Sequence, residues 1–247
     1  MRLAILMALL SISAPGGSAE APRGPVVIEL FTSQGCSSCP PADELLSTWG
    51  AEEARKGVVL PLEFHVDYWD DLGWPDTFAS PEWTLRQRRY AARLKGGTFT
   101  PELVIAGRVG VVGSHGRQVR REVERAAGAA SRLTIERSTV GASGFGLSIH
   151  RAAGQKTSAH VMLALFENGL DTKVTRGENA GQTLHSDFVV RALTDLGPWE
   201  GKAAFEKRLA PAWDRGWNLK QAGAAVFLQD PDTLAITDAA SVFPLTD

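Results

Sequence analysis

Two nearly continuous apolar runs near the start of the chain, residues 26–31 and 58–66, have the length and composition of buried strands. Between them, residues 40–49 have helical spacing, with Pro40 and Pro41 in the first turn, where a missing N–H is harmless. Residues 81–95 predict a second helix, opened by Pro81 and closed by Gly96-Gly97. Residues 103–105 and 109–112 flank a turn at Gly107 and read as a hairpin, and a third helix is expected over residues 117–127.

Beyond Arg132 the pattern changes to short alternating runs broken by Gly, Asn and Asp. Residues 133–140, 145–150, 159–166, 183–193, 224–228 and 233–237 predict strands of a small antiparallel sandwich. The first half has the order strand, helix, strand, helix, strand, strand, helix, which is that of a thioredoxin fold. The expected architecture is therefore an α/β thioredoxin-like domain over residues 22–132, followed by a mostly antiparallel β-sandwich domain over residues 133–247.

Three whole-chain features narrow the function. Met1-Arg2, a short apolar stretch and the small residues ending at Ala19 describe a secretory signal peptide over residues 1–19, with a retained anchor as the alternative that Pro15 and the glycines disfavour. Removing that segment takes away Arg2 and changes the formal net charge from −2 to −3, which offers no basic footprint for nucleic acid. The basic run Arg86-Gln87-Arg88-Arg89 reads as the solvated face of a helix. No later segment is apolar enough to cross a membrane. The chain also holds only two cysteines, too few to staple an exported protein of this size, and a short loop between them restricts the unfolded chain little.

Those two residues, Cys36 and Cys39, follow the first strand directly and can close and reopen a small disulfide ring. Cys36 is expected to be the exposed, attacking thiol and Cys39 the buried, resolving one, with Ser37 and Ser38 supplying hydroxyl donors but no positive charge. Glu29 lies inside the first strand and resembles the buried acid that takes a proton from the resolving thiol in thioredoxin, shifted by one residue; a solvent-facing edge glutamate is the alternative. Thr100-Pro101 directly precedes the third strand, where a cis bond against the cysteines is expected. His65 and Asp67 alternate along a strand end, so they share a face and could pair near the site. Tyr68, Trp69, Trp74 and Trp83 are lid or core aromatics, or shape a substrate groove.

The rival chemistry is metal binding, with Cys36, Cys39 and His65 holding copper or zinc. It lacks a fourth ligand with recognisable spacing. No organic cofactor is implied, and the expected partner is a protein or small-molecule thiol or disulfide.

The string from Val27 to Asp43, together with His65-Val66-Asp67-Tyr68-Trp69-Asp70, Leu72-Gly73-Trp74, Phe78-Ala79-Ser80-Pro81, Thr100-Pro101 and Arg176-Gly177-Glu178-Asn179-Ala180-Gly181, resembles the bacterial secreted, thioredoxin-like family known as domain of unknown function 1223. The resemblance covers nearly the whole mature chain and implies the fold and export to a Gram-negative periplasm more firmly than any activity. It also implies that the loop carrying Arg176, Glu178 and Asn179 packs near Cys36 and narrows access to it.

Overall fold

The computed structural model describes residues 24–127, 133–140, 144–151, 159–199, 204–209 and 216–242. The signal segment at residues 1–19 and the domain boundary at residue 132 lie outside them. The first apolar run forms β1 (Val26–Thr32), buried along its whole length. It is followed by α1 (Pro40–Leu45), a wider helical turn at Leu46–Gly50, α2 (Ala51–Arg55) and β2 (Val59–His65). Next comes α3 (Pro81–Leu94). The Ser80 hydroxyl caps it by accepting from the Glu82 amide at 3.2 Å, and Pro81 stands in its first turn. The hairpin is β3 (Glu102–Ile105) and β4 (Val109–Val112), and α4 (Gly116–Ala126) follows.

Among the described residues the regular elements of the second half are all strands: β5 (Leu133–Val140), β6 (Gly144–Arg151), β7 (Ala159–Glu167), β8 (Leu170–Lys173), β9 (Thr183–Ser186), β10 (Val189–Trp199), β11 (Ala204–Leu209), β12 (Ala222–Gln229) and β13 (Ile236–Val242). The expected single strand at residues 183–193 is two strands, and the last strand begins at Ile236, later than expected.

The largest correction concerns the sandwich. Four second-half strands join the first half's sheet, giving one mixed, mostly antiparallel sheet of eight strands in the order β13-β12-β7-β10-β2-β1-β3-β4. The junction is parallel pairing of β10 with β2, where Val189 stands opposite Glu63 and the Glu63 amide donates to the Phe188 carbonyl at 2.8 Å. The cause is the burial of β2 on every residue: a fully buried strand needs partners for the polar groups on both its edges, and β1 serves only one. Strands β11, β6 and β5 make a separate three-stranded sheet, and β8 with β9 a two-stranded ribbon.

Alternation along β1 and β2 sorts two cores. Val27 and Phe31 join Leu60, Leu62 and Phe64 against Trp83 and Tyr90 of α3, while Val26, Ile28 and Leu30 meet Ala42 and Leu46 on the other face, with Val119 and Val123 of α4. Each fully buried Leu, Ile or Phe here contributes on the order of 2 kcal/mol.

The basic run of α3 is not a solvated face. Arg86 and Gln87 are buried and only Arg88 and Arg89 are exposed. The reason is helical phase: Arg86, Gln87 and Tyr90 continue the inward stripe that starts at Trp83. Arg86 Nε donates to Glu29 Oε1 at 2.7 Å, its Nη1 donates to Gln229 Oε1 at 3.1 Å, and Tyr90 donates its hydroxyl to the other Glu29 oxygen. This polar knot fastens α3 to β1 and β12 together. Among the described residues no helix is long and apolar enough to cross a membrane.

Candidate functional site

At the end of β1 the chain turns sharply. The Cys36 amide donates to the Ser33 carbonyl at 3.1 Å and the Gly35 amide to the Ser33 hydroxyl at 3.0 Å. Cys36 and Cys39 are joined by a disulfide, with Cα atoms 5.5 Å apart. The Cys39 carbonyl then accepts from the amides of Ala42 and Asp43 at 2.8 and 3.2 Å, which starts α1.

Three segments converge on this ring. Trp69 packs so closely that a Cβ on Gly35 would lie 3.1 Å from the Trp69 Cβ, a contact tight enough that Trp69 would have to give by a few tenths of an ångström. The Trp69 indole N–H donates to the Thr100 hydroxyl at 2.8 Å, and the Ser38 hydroxyl lies 3.3 Å from Cys36 Sγ and 3.5 Å from the Thr100 carbonyl. The Thr100-Pro101 bond is cis. Cys36, Cys39, Ser38, Trp69, Thr100 and Pro101 thus form one cluster. Of the other aromatics, Trp83 is core, and Trp74 is half-buried beside the site.

The expected exposure of Cys36 is not found: both cysteines are 0% exposed, and only Ser37 and Ser38 face solvent. The third segment helps explain this. Asn179 Nδ2 donates to the carbonyls of Gln34 and Cys36 at 2.9 and 3.0 Å, and Glu178 Oε2 accepts from the Ser37 amide at 3.1 Å. Arg176, on the same loop, is exposed.

Gln34 is one residue that sequence reasoning missed. Its amide donates to Asp76 Oδ2 at 2.7 Å, its side-chain nitrogen to the Thr172 hydroxyl at 3.0 Å, and its side-chain oxygen accepts from the Trp74 indole at 3.0 Å. A buried residue bonded through its amide and its side chain to two other segments, residues 74–76 and Thr172, holds the cysteine turn in place. The available signal was a polar Gln directly before a Gly-Cys turn.

The buried ionisable groups are arranged differently from expectation. Glu29 points to the α3 face, away from α1, and its carboxylate belongs to Arg86 and Tyr90, so it is not placed to serve Cys39. Arg86 keeps its charge although burial opposes it, because Glu29 lies against it. His65 does not pair with Asp67. Its Nδ1 lies 2.7 Å from Asp76 Oδ2 and its Nε2 2.7 Å from Glu63 Oε1, while Asp67 accepts from the Thr84 hydroxyl at 2.5 Å. Burial opposes the His65 charge, but Asp76 and Glu63 overcome it and hold the imidazole pKa well above its usual value. With an acceptor at each nitrogen the ring donates from both. With both nitrogens taken, it is not a third metal ligand beside the cysteines. Among the described residues no three metal-ligating side chains converge.

Asp43 was not foreseen. It is buried, follows Cys39 by one helical turn on the α1 face, and accepts from the Thr32 hydroxyl at 2.6 Å. Burial, and then the charge of Glu63, push its pKa well up, while Asp76 is held below the usual range because His65 outweighs its burial.

Glu102 follows the cis proline. Burial raises its pKa from 4.5 to about 7, against a 2.9 Å hydrogen bond from Gln87. A carboxyl with a raised folded pKa binds more protons folded than unfolded, so stability falls as pH rises from about 4.5 to about 7. Glu102→Gln is therefore expected to flatten that decline and to leave the protein more stable than wild type at pH 8. Urea denaturation at pH 5 and pH 8 tests this, and an unchanged slope with pH would contradict it.

A model of the family described as "Protein of unknown function (DUF1223)" matches residues 27–229. No curated protein matches the chain. Among solved structures, protein AGR_C_4864 from Agrobacterium tumefaciens is similar with 29% identity and a TM-score of 0.71, over 91% of this chain and 96% of that one. HBP35 of Porphyromonas gingivalis is similar in fold alone, at 12% identity and a TM-score of 0.62, over 90% of this chain and 76% of that one.

Proposed function

The chain belongs to DUF1223, a family of proteins of unknown function, and from its site we propose that it is an exported thiol–disulfide oxidoreductase on a thioredoxin-like scaffold. The observation that carries this reading is the Cys36–Cys39 disulfide at the end of β1, set against the cis Thr100-Pro101 loop. The scaffold reading is supported by β1 running parallel to β2 and antiparallel to β3, with α1 and α4 on one face and α3 on the other. Export rests on the leader-like residues 1–19, and the periplasm as its destination on the family resemblance.

In the reducing direction, the Cys36 thiolate attacks one sulfur of a substrate disulfide and the other leaves as a thiolate. Cys39 then attacks Cys36, closing the ring and releasing the second substrate thiol. Two electrons pass from the dithiol to the substrate. Cys39 must lose its proton in the second step, and Asp43, one turn beyond it, replaces Glu29 as the candidate acceptor.

The test is a trap. Cys39→Ser should accumulate a mixed disulfide at Cys36 with a model peptide disulfide, and Cys36→Ser should not. Asp43→Asn should slow the resolving step, by up to about 100-fold near neutral pH, while the mixed disulfide forms at the wild-type rate. Absence of any Cys36 adduct would remove the activity, and a normal resolving rate would remove Asp43 from its role.

A further inference from the structure

Resting on the exchange reading above, we infer that residues 175–182 form a gate over Cys36, with the Glu178 carboxylate held on Ser37 and keeping the thiol unreactive until a substrate displaces the loop. Both sulfurs are buried in the closed arrangement, so an incoming sulfur has no line of approach to either. Two residues fasten the loop to the cysteine turn: Asn179 grips the carbonyls of Gln34 and Cys36, and Glu178 holds Ser37 through both the amide and the hydroxyl. Gly177 and Gly181, at φ +77° and +87°, flank the gripping residues, and a Cβ on Gly177 would lie 3.1 Å from the Trp74 Cβ, a tight contact. Small residues at such positions suit a hinge.

Glu178 adds an electrostatic bar. Its carboxylate is exposed and, through its bonds to Ser37, is held below the usual range, so it is ionised at neutral pH. A negative charge on the residue next to Cys36 opposes formation of a second one on sulfur. The other charged groups packed around the cysteine turn are Asp43 from α1, Glu63 and His65 from β2, Asp76 from the segment after β2, Glu102 from β3 and Arg176 on the gate itself. They are common to wild type and to a Glu178 variant, so such a variant isolates Glu178.

The experiment uses the mature protein. Dithiothreitol supplies two electrons and two protons, breaks the Cys36–Cys39 bond and leaves as its own cyclic disulfide. Alkylation of reduced Cys36 by iodoacetamide is then followed across pH by mass spectrometry. Glu178→Gln, an exposed and nearly isosteric change, should move the Cys36 profile to lower pH and raise its alkylation at pH 7 about three- to tenfold. The dithiol should be favoured in the same proportion, a tenfold change being about 30 mV. Asn179→Ala should speed reduction of the disulfide by dithiothreitol about tenfold with little change in the pH profile. Should it fail to fold, the Glu178→Gln profile still decides. A Glu178→Gln profile identical to wild type overturns the gate while leaving exchange intact. A Cys36 that reacts no faster than an unfolded thiol in every variant, with a potential below about −300 mV, overturns the exchange reading itself.

Discussion

Arg86→Leu is expected to cost about 3–5 kcal/mol of stability, because it leaves the fully buried Glu29 carboxylate without its cation. That is a large share of the 5–15 kcal/mol typical of a folded protein. The guanidinium also stacks on Phe64, Tyr90 and Phe227, with ring centroids 5.6, 5.2 and 5.8 Å away, so leucine forfeits those contacts too. The charge contribution separates from packing in a double variant. Glu29→Leu with Arg86→Leu should recover much of the loss, since removing both members of a buried pair is far milder than removing one. Urea denaturation of the four proteins measures the coupling. A single-variant loss below about 1 kcal/mol would mean that Glu29 reaches water or another donor.

His65→Leu should be comparably damaging, about 3–5 kcal/mol at pH 7, because Glu63 and Asp76 lose the charge between them. Its pH dependence is the sharper test. The folded pKa of His65 is raised above 6.5, so its contribution is complete below that pH and disappears as pH climbs through the folded value. Asp43 and Glu63 are raised as well, and stability due to their neutral forms also falls as pH rises beyond the ordinary carboxylate range. Asp76 works in the opposite sense: its contribution is present above 3.8 and is lost on acidification. Wild type should accordingly be most stable on the acid side of neutral. The deficit of His65→Leu should be largest near neutrality, shrinking at pH 5 as the stranded carboxyls take up protons and at high pH as wild type loses its own imidazolium. Because Asp76 also holds the Gln34 amide, the variant should loosen the disulfide turn. A deficit independent of pH, read from urea midpoints at pH 5, 7 and 9, would contradict this picture.

Much of the first half was legible because its signals are local. The apolar run before Cys36, the prolines opening α1 and α3 and the glycine turn between β3 and β4 each act over a few residues, and the elements form where those residues place them. What escaped was set by contacts far along the chain. Nothing near Glu63 announces that β10, beginning more than a hundred residues later, will pair with β2 and merge the expected sandwich into one sheet. Glu29 looked like an acid serving the cysteines because its neutralising partner, Arg86, is 57 positions away. That arginine was hidden in a run of basic residues whose helical phase alone separates Arg86 from Arg88 and Arg89. His65 was assigned to Asp67 by strand alternation, whereas the fold brings it Asp76 from beyond the following loop. The family resemblance placed the Asn179 loop near Cys36, but the bonds by which Asn179 grips the Gln34 and Cys36 carbonyls became visible only once the two distant segments were in contact.

The central claim is that Cys36 and Cys39 exchange disulfides with a substrate. The most direct measurement is the equilibrium of their disulfide in glutathione buffers on the mature protein, read by thiol trapping and mass spectrometry. The account predicts a potential between roughly −270 and −120 mV, the range of exchange-active pairs, with Cys36 trapped before Cys39. A potential below about −300 mV, with both sulfurs slow to react, would mark the bridge as structural and contradict the assignment.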